Sequence, residues 1–303
     1  MLPEKSFRDT LFDAGLLIAS GVDGIYGRSG DFEAVVDGID GLISRDGNMP
    51  GAEVVRFPPA MPRKVMETSG YLKGFPHLAG TVHCFCGDSR AHRTLLQCLD
   101  AGEDWTGQQE CVDLALTPAA CYPVYPMIAA RGVVKAAGNI VDVSSYCFRH
   151  EPSLEPTRMQ LFRMREFVFI GAPEDVKAFR DMWAERGRKI IGGLGLPVTI
   201  DVANDPFFGR AGKIMAESQR EQALKYELLV PVNSAENLTA CLSFNYHMDH
   251  FSEIWNLRMD DGTLAHTACV GFGFERLALA LFRHHGFDRL NWPETVRTAL
   301  WPA

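Results

Sequence analysis

The sequence lacks a membrane span, a secretion signal and a phosphate-binding P-loop. No apolar run approaches the roughly 18 residues needed to cross a bilayer, and charged residues stand near the start, where a signal peptide has its apolar region. No Gly-x-x-x-x-Gly-Lys-Ser/Thr loop occurs, and residues 209–213 resemble one only superficially. We therefore expect a cytoplasmic protein with no membrane contact that is not a P-loop nucleotide hydrolase.

Paired cysteine motifs and excess positive charge are also missing. The eight cysteines form no pair of CxxC motifs, and because a secretion signal is missing a disulfide framework is not expected. The net charge of −8 gives no overall positive field to attract nucleic acid, although a local basic patch would still bind it. The 303 residues are 47% hydrophobic and 22% charged, which is typical of a globular protein with a substantial core.

Apolar spacing predicts an α+β fold with a mostly antiparallel sheet flanked by helices. Strands follow strands more often than βαβ alternation allows. Predicted strands are residues 54–57, 81–86, 111–116, 140–148, 161–170, 198–202, 227–232 and 238–246, and predicted helices are residues 5–19, 31–43, 88–99, 207–222 and one that begins at Pro173. We expect one domain over residues 1–303, with a short helical N-terminal segment (1–55) and a catalytic core (56–303).

The first group of candidate site residues lies on the predicted hairpin 140–170. Arg149 and Glu151 follow the first strand, and Arg163 and Phe167 stand on the returning strand. Guanidinium groups bind phosphate oxygens through paired hydrogen bonds and a phenyl ring stacks on adenine, so this set fits ATP. Taken alone, the same residues fit a charged hairpin in solvent equally well.

The second group is a glycine-containing turn before an apolar helix. Gly271 and Gly273 allow close backbone approach, and Arg276 then projects from the first turns of the helix, where the helix dipole also favours anions. We expect Arg276 to contact the far phosphate. A dinucleotide-binding fold is disfavoured because arginine replaces the third glycine and no βαβ unit surrounds the motif.

Together the two groups resemble motifs two and three of class II aminoacyl-tRNA synthetases. Motif two has the form Phe-Arg-x-Glu, a loop, then Arg-x-x-x-Phe, and motif three ends in Gly-x-Gly-x-Glu-Arg. The resemblance is closer to archaeal-type seryl-tRNA synthetases, through residues 57–62, 67–76 and 266–269. It is closest to their short bacterial homologues, the amino acid:[carrier protein] ligases, whose N-terminal Gly-Ile-Tyr-Gly-Arg-Ser-Gly segment matches residues 24–30.

The resemblance implies one zinc ion per chain, held by Cys121, Glu166 and Cys269. Without it, two distant cysteines are more often small buried apolar residues. Three protein ligands leave one tetrahedral position open, as in a functional zinc site. In the family that position takes the amino group of the substrate.

The resemblance also implies roles for the motif residues. Arg149 would hold the α-phosphate and the carboxylate oxygen, and Glu151 would contact the adenine or the amine. Phe167 would stack on the base, Arg163 and Arg276 would hold the β- and γ-phosphates, and Glu227 would lie near the nucleotide. Mg²⁺ accompanies ATP, with no ligands assigned. His247, Asp249 and His250 are interpreted as polar residues at a strand end, because no further ligand is evident.

The expected reaction joins a small amino acid to a carrier protein. The chain would make aminoacyl-AMP from ATP, then pass the aminoacyl group to a phosphopantetheine thiol as a thioester. Glycine is the favoured substrate, with alanine possible and Phe244 or nearby bulk closing the pocket. No tRNA partner is expected, because only some 55 residues precede the core. Two alternatives remain, a truncated synthetase acting on tRNA and a non-catalytic paralogue acting as a regulator.

Two surfaces complete the expectations. The helix in residues 207–226 carries the basic residues Arg210, Lys213, Arg220 and Lys225, which would bind an acidic carrier protein. Interleaved Glu217 and Glu221 also fit an ordinary solvated helix. A homodimer is expected through residues 53–70, where Met61, Val65 and Met66 would offer apolar contact.

Overall fold

The structure is a computed structural model that describes residues 5–234 and 236–302. Residues 1–4, 235 and 303 of the predicted domain lie outside the described residues.

The helices within the described residues are α1 (Phe7–Asp13), α2 (Gly30–Asp46), α3 (Arg63–Thr68), α4 (Tyr71–Gly74), α5 (Ser89–Ala101), α6 (Val124–Ala129), α7 (Pro173–Gly192), α8 (Gly209–Glu221), α9 (His250–Trp255), α10 (Phe274–His285) and α11 (Glu294–Leu300). Local chemistry explains several of their ends. Ser29 caps α2 by accepting a hydrogen bond from the backbone N–H of Phe32, and Asp88 caps α5 as its position predicts. None of the helices in the described part of the chain is both long and apolar enough to cross a membrane.

The strands are β1 (Leu17–Ala19), β2 (Tyr26–Arg28), β3 (Glu53–Arg56), β4 (Ala60–Pro62), β5 (Thr81–Cys84), β6 (Glu110–Leu116), β7 (Asn139–Phe148), β8 (Leu161–Gly171), β9 (Thr199–Val202), β10 (Lys225–Pro231), β11 (Leu238–Met248) and β12 (His266–Gly273). Seven of them form the main sheet, in the order β3-β7-β8-β12-β11-β10-β9. All neighbours pair antiparallel except β3 with β7, at one edge. The predicted α+β class with a mostly antiparallel sheet is confirmed.

Helices α2, α7 and α10 cover one face of the main sheet. Alternate residues of the central strands point into this layer, among them Phe167 of β8, Phe272 of β12 and Phe244 of β11. Phe167 stacks on Trp183 of α7 with ring centroids 4.7 Å apart. The other face is covered partly by α6 and α9, where a second apolar cluster forms. The rest of that face is open.

The N-terminal segment is less helical than predicted. The helix expected over residues 5–19 ends at Asp13, because Gly15 adopts a positive φ of 67° that turns the chain. A two-stranded sheet follows, in which Leu17 of β1 pairs with Arg28 of β2. Leu11 and Leu16 are buried in the same core as α10, so this segment is part of the packed domain.

A second, three-stranded sheet has the order β4-β6-β5. Met61 and Met66 are buried beneath it with Tyr71 and Leu78, and Val65 packs against the same cluster. The predicted apolar contact of Met61 and Met66 with a second subunit is therefore wrong, because both side chains are buried in a core within one chain, while Val65 is partly buried.

A buried ion pair joins β7, β8 and α2. Arg165 and Asp142 are each 4% exposed, and the guanidinium Nε and Nη2 donate to the two Asp142 oxygens at 3.0 and 2.6 Å. The Arg165 Nη1 also donates to Asp40 of α2 at 2.8 Å. A buried charge is tolerated only when it is paired, so this cluster fixes α2 against the sheet.

We expect Asp142→Asn to lower the free energy of unfolding by about 3 kcal/mol, because it leaves the buried Arg165 with an incomplete partner. Chemical denaturation of the purified variant measures this difference. Glu185→Gln is the control, since Glu185 pairs with Arg188 on the exposed surface of α7 and its loss should not change stability measurably. A loss below about 1 kcal/mol for Asp142→Asn would contradict the assignment.

Candidate active site

A cavity of about 600 Å³ occupies the open face of the main sheet. Its floor comes from side chains that alternate with those buried beneath α2, α7 and α10. Met164 and Glu166 of β8, Cys269 and Gly271 of β12 and Ser243 of β11 face into it. The register places Gly271 directly opposite Glu166 and Ser243, which brings three strands to one point.

Cys121, Glu166 and Cys269 meet at one end of the cavity. Their ligand atoms all lie within 4.8 Å of one another, and all three residues are buried. The backbone N–H of Cys121, in the turn before α6, donates to Glu166 Oε1 at 3.1 Å. Burial raises the pKa of the Glu166 carboxyl, while a hydrogen bond to Cys269 and burial raise that of the Cys121 thiol. Two thiols and one carboxyl in this arrangement form a donor set suited to a divalent metal.

Side chains of β11 surround Cys269. Asn245 Nδ2 lies 3.3 Å from Cys269 Sγ, and His247 Nε2 lies 3.7 Å from it. His247 Nδ1 is 3.0 Å from Thr267 Oγ1, which fixes the orientation of the ring. Asn245 and His247 both line the cavity, so the sequence interpretation of His247 as a polar residue at a strand end missed its position beside the Cys–Glu–Cys group.

Arg149 and Arg276 bring two positive charges into the same cavity. Arg149 Nε donates to the carbonyl of Pro118 at 3.0 Å. Arg276 Nε and Nη1 donate to the carbonyls of Thr157 and Ala240, each at 2.9 Å. Burial and the nearby Arg149 guanidinium lower the pKa of Arg276. Neither arginine has a carboxylate among these partners, so both guanidinium groups are suited to bind an anion.

Acidic groups lie around this pair. Glu151 and Glu227 line the cavity, and their expected contacts with the nucleotide stay predictions. Glu227 accepts from Lys225 Nζ at 3.0 Å, and Asp205 accepts from the same Nζ at 2.6 Å. Burial alone would raise the pKa of Asp205, but the Lys225 ammonium holds it below its ordinary value.

No protein-family model matches the chain. The chain is 51% identical over 292 residues to amino acid–[acyl-carrier-protein] ligase 2 of Bradyrhizobium diazoefficiens, covering 96% of this chain and 87% of that protein. Ligase 1 of the same organism is 47% identical over 285 residues, covering 94% of this chain and 87% of that protein. The chain belongs to the amino acid–[acyl-carrier-protein] ligase family. It is an enzyme of the ligase class.

The ligase also matches tRNA synthetases at greater distance. Type-2 serine–tRNA ligase of Methanopyrus kandleri is 26% identical over 280 residues, covering 85% of this chain and 52% of that protein. The crystal structure of the M. kandleri SerRS with A. aeolicus tRNASec matches with a TM-score of 0.82 at 23% identity, covering 99% of this chain and 62% of that chain. The class II synthetase fold predicted for the ligase is confirmed.

Two of the predicted nucleotide residues do not reach the cavity. Arg163 and Phe167 of β8 have the opposite parity to Glu166 and Phe162, so they point to the helical face of the sheet. Phe167 is buried against Trp183, and Arg163 is bonded to Glu33 and Glu275. Their predicted contacts with adenine and with the β- and γ-phosphates are therefore wrong.

Sequence reasoning missed Phe162, which lines the cavity. The Arg149 guanidinium carbon lies 5.4 Å from the centre of the Phe162 ring, so an aromatic face and a positive charge are neighbours in the cavity. The signal was present, because Arg158 and Phe162 show the same Arg-x-x-x-Phe spacing as Arg163 and Phe167. Arg158 is exposed and pairs with Glu155 and, at 3.6 Å, with Glu151.

Two further predictions are corrected. Lys225 is 7% exposed and paired with Asp205 and Glu227 in the cavity wall, so it cannot belong to a surface that binds a partner. Phe244 is fully buried on the helical face of β11 and does not close the cavity. By contrast, Arg210, Lys213 and Arg220 are exposed on α8, and their binding of a carrier protein stays a prediction.

We expect Phe162→Ala to weaken binding of a non-hydrolysable ATP analogue by about 10-fold, because stacking on a base contributes about 1–3 kcal/mol. The matched variant Phe167→Ala should instead lower the free energy of unfolding by about 3 kcal/mol, since it empties a buried position against Trp183. Calorimetric titration and chemical denaturation of both variants separate the two effects. Loss of nucleotide binding in Phe167→Ala alone, with stability retained, would restore the original assignment.

Proposed function

We propose that the chain activates a small amino acid with ATP and transfers it to a carrier protein. The amino-acid carboxylate attacks the α-phosphorus of ATP, which forms aminoacyl-AMP and releases pyrophosphate. The phosphopantetheine thiol of the carrier then attacks the aminoacyl carbonyl, AMP leaves, and the product is a thioester. The similarity to the two Bradyrhizobium amino acid–[acyl-carrier-protein] ligases supports the ligase chemistry and the carrier partner.

One observation carries this proposal: an anion site and a Cys–Glu–Cys group share one cavity. Arg149 and Arg276 supply the positive charge for a triphosphate, and Phe162 beside Arg149 supplies a face for the base. The positive charge that Arg149 directs at the α-phosphate stabilises the charge that develops as pyrophosphate leaves. Binding both substrates in one cavity makes their reaction effectively intramolecular.

We propose zinc as the metal of the Cys–Glu–Cys group. Two thiolates and one carboxylate are ligands that Zn²⁺ accepts, and three protein ligands leave a fourth position open. When bound there, zinc would hold the α-amino group of the substrate and so select an amino acid. Mg²⁺ would accompany ATP, as in other phosphoryl-transfer enzymes.

Glycine is the proposed substrate, with alanine poorer. A Cβ atom at Gly271 would meet Met164 Cε at 3.2 Å and Ser243 Oγ at 3.3 Å, so the wall two residues from Cys269 is closely packed. A close wall supports a small substrate by steric exclusion, since an apolar pocket alone discriminates one methylene only about 10- to 200-fold.

The reaction is tested in two assays on the same protein. ATP–pyrophosphate exchange should depend on glycine within a panel of amino acids, and the amino acid should then become bound to the phosphopantetheinylated carrier but not to its apo form. Arg149→Lys should reduce exchange by about 100-fold or more, while the surface variant Arg188→Lys keeps it. Efficient charging of tRNA by the unmodified chain would overturn the carrier protein as acceptor. Pyrophosphate exchange with serine and none with glycine would overturn glycine as the substrate.

We expect the purified chain to hold about one zinc ion, and Cys269→Ala and Cys121→Ala to lose the metal and amino-acid activation together. Metal analysis and pyrophosphate exchange measure the two losses. Cys147→Ala is the matched control, because Cys147 is equally buried but lies outside the Cys–Glu–Cys group. Full exchange activity by a metal-free Cys121→Ala protein would contradict the site.

Helix α8 is the proposed docking surface for the carrier. Ile214 and Met215 of α8 are 64% and 50% exposed and line the cavity, so the helix borders its mouth. Arg210, Lys213 and Arg220 on the same helix are exposed and would attract an acidic carrier.

The double variant Lys213→Glu/Arg220→Glu should slow transfer to the carrier in a salt-sensitive way and leave pyrophosphate exchange nearly intact. Single-turnover transfer at two ionic strengths measures this effect. Lys177→Glu/Lys189→Glu on α7 changes the net charge equally at exposed positions elsewhere and is the control. Equal loss of exchange and transfer would assign α8 a role in the fold instead.

A homodimer completes the proposal, with the contact assigned to α5 in place of Met61 and Met66. Leu96 and Leu99 of α5 are 43% and 48% exposed, and no residue of this fully described helix is buried. An amphipathic helix without a covered apolar face is typical of an interface. Sedimentation should show a dimer for the chain and a monomer for Leu96→Glu/Leu99→Glu, while Leu290→Glu, at a leucine that is more exposed but lies outside α5, remains dimeric.

A further inference from the structure

The segment from Asp23 to Glu33, which we call the N-terminal support, touches the back of the active site at two separate places. None of its residues lines the cavity. It contains the whole Gly-Ile-Tyr-Gly-Arg-Ser-Gly sequence, residues 24–30, to which the proposed reaction assigns no role. Its contacts explain what this sequence does.

The first contact reaches Arg149 through Gln160. The backbone N–H of Gln160 donates to the carbonyl of Gly24 at 2.8 Å, and its side-chain Nε2 donates to the carbonyl of Asp23 at 2.8 Å. The carbonyl of Gln160 in turn accepts from the backbone N–H of Arg149 at 2.9 Å. Gln160 thus joins the two ends of the loop that carries Arg149, and the support holds Gln160 by two hydrogen bonds.

Gly24 is required for this approach. It has a φ of 77°, and a Cβ atom there would lie 3.1 Å from the Arg158 carbonyl oxygen and 3.2 Å from Gln160 Cγ. Any side chain would be strained by the backbone angle and would press on the loop.

The second contact is a cluster of four charges behind Arg276. Arg28 Nε and Arg163 Nη2 donate to Glu33 Oε1 at 2.8 and 2.9 Å. Arg163 Nε donates to Glu275 Oε1 at 2.8 Å, and Arg28 Nη1 lies 3.5 Å from the same oxygen. Both guanidinium groups also lie over the ring of Tyr146, at 5.7 and 5.4 Å.

Glu275 connects this cluster to the phosphate site. Its Oε2 accepts from the backbone N–H of Arg163 at 2.7 Å, just beyond the β8–β12 pairing that ends at Gly273 and Met164. The carboxylate, 2% exposed, therefore fixes the first turn of α10 to β8, and Arg276 is the next residue of that turn. Glu33 and Arg28 supply opposite charges beside the half-buried Arg163 and the buried Glu275, and a buried charge is tolerated only when it is paired.

We infer that the N-terminal support positions both phosphate-binding arginines, Arg149 through Gly24 and Gln160, and Arg276 through Glu33, Arg163 and Glu275. This inference rests on the proposed function for the identity of the anion. Arg28, Glu33 and Gly24 are positioning residues, since they act through other residues and touch no substrate. Within the described residues, the hydrogen bonds of Cys121, Glu166 and Cys269 do not involve the N-terminal support.

The test replaces Gly24 by Ala and Glu33 by Gln in separate variants. Each should raise the dissociation constant of a non-hydrolysable ATP analogue about 10-fold or more, because a guanidinium displaced by about 1 Å loses much of its effect on the phosphates. The KM for ATP in pyrophosphate exchange should rise equally, while the KM for the amino acid stays unchanged. Arg28→Lys keeps the positive charge but loses the planar guanidinium with its several N–H donors. It should raise the same dissociation constant by a smaller factor.

Two matched controls share the local strain or charge but not the contacts. Gly21→Ala changes a glycine with a φ of 85° that has no atom within 4 Å of its Cβ position. Asp31→Asn removes the partner of Arg289, on the same turn of α2 as Glu33. The inference is wrong if Gly24→Ala, Glu33→Gln and the two controls all lower nucleotide binding in proportion to their loss of thermal stability. It is also wrong if none of these variants changes nucleotide binding.

Analogue binding separates this inference from the proposed function. If the unmodified chain binds the analogue but none of the amino acids tested supports pyrophosphate exchange, the proposed reaction fails. The binding data then still decide the role of the N-terminal support. If the unmodified chain binds no ATP analogue, both are overturned.

Discussion

Neighbouring residues of a β-strand point to opposite faces of their sheet, and on β8 this period of two divides the molecule. Met164 and Glu166 face the cavity, whereas Arg163, Arg165 and Phe167 face the layer of α2, α7 and α10. The chemistry on one face and the packing on the other are therefore set by one strand. A shift of its register by one residue would exchange the two sets and lose both.

This period also explains where sequence reasoning succeeded and where it failed. Apolar spacing and turn residues are local properties of the sequence. They predicted the hairpin of β7 and β8, the strands β10 and β11, and the capped helix α5. The cysteines and Glu166 were found through the family resemblance, since 45 residues separate Cys121 from Glu166 and no spacing rule joins them. Arg163 and Phe167 were misassigned because parity was not applied: Glu166 and Phe167 are adjacent and cannot share a face.

Other misassignments had a different cause, which is that burial depends on partners distant in sequence. Nothing local distinguishes Lys225 from Lys213, yet Lys225 is enclosed by Asp205 and Glu227, and Lys213 is exposed. Met61 and Met66 looked available for an interface because the residues that cover them, Tyr71 and Leu78, belong to later elements. The end of α1 at Asp13 follows from the positive φ of Gly15, a signal too weak by itself to override helical spacing.

Helix α8 lies in a segment that leaves the main sheet after the edge strand β9 and returns to it at β10. Strands β9 and β10 are antiparallel neighbours, with Val202 opposite Tyr226, and the N–H of Ala203 still bonds to the carbonyl of Lys225 at 3.0 Å. Everything between these two residues is an excursion from a closed hairpin, and the entropy of closing such a loop changes only slowly with its length. The length of the excursion can therefore change without altering the pairing of β9 with β10, whereas Asp205, Gln219 and Lys225 have to be kept because they are bonded to one another in the cavity wall. The proposed carrier surface thus lies on an insertion between two strands, and exchanging residues 209–218 while keeping Asp205, Gln219 and Lys225 is the natural route to a ligase with a new partner.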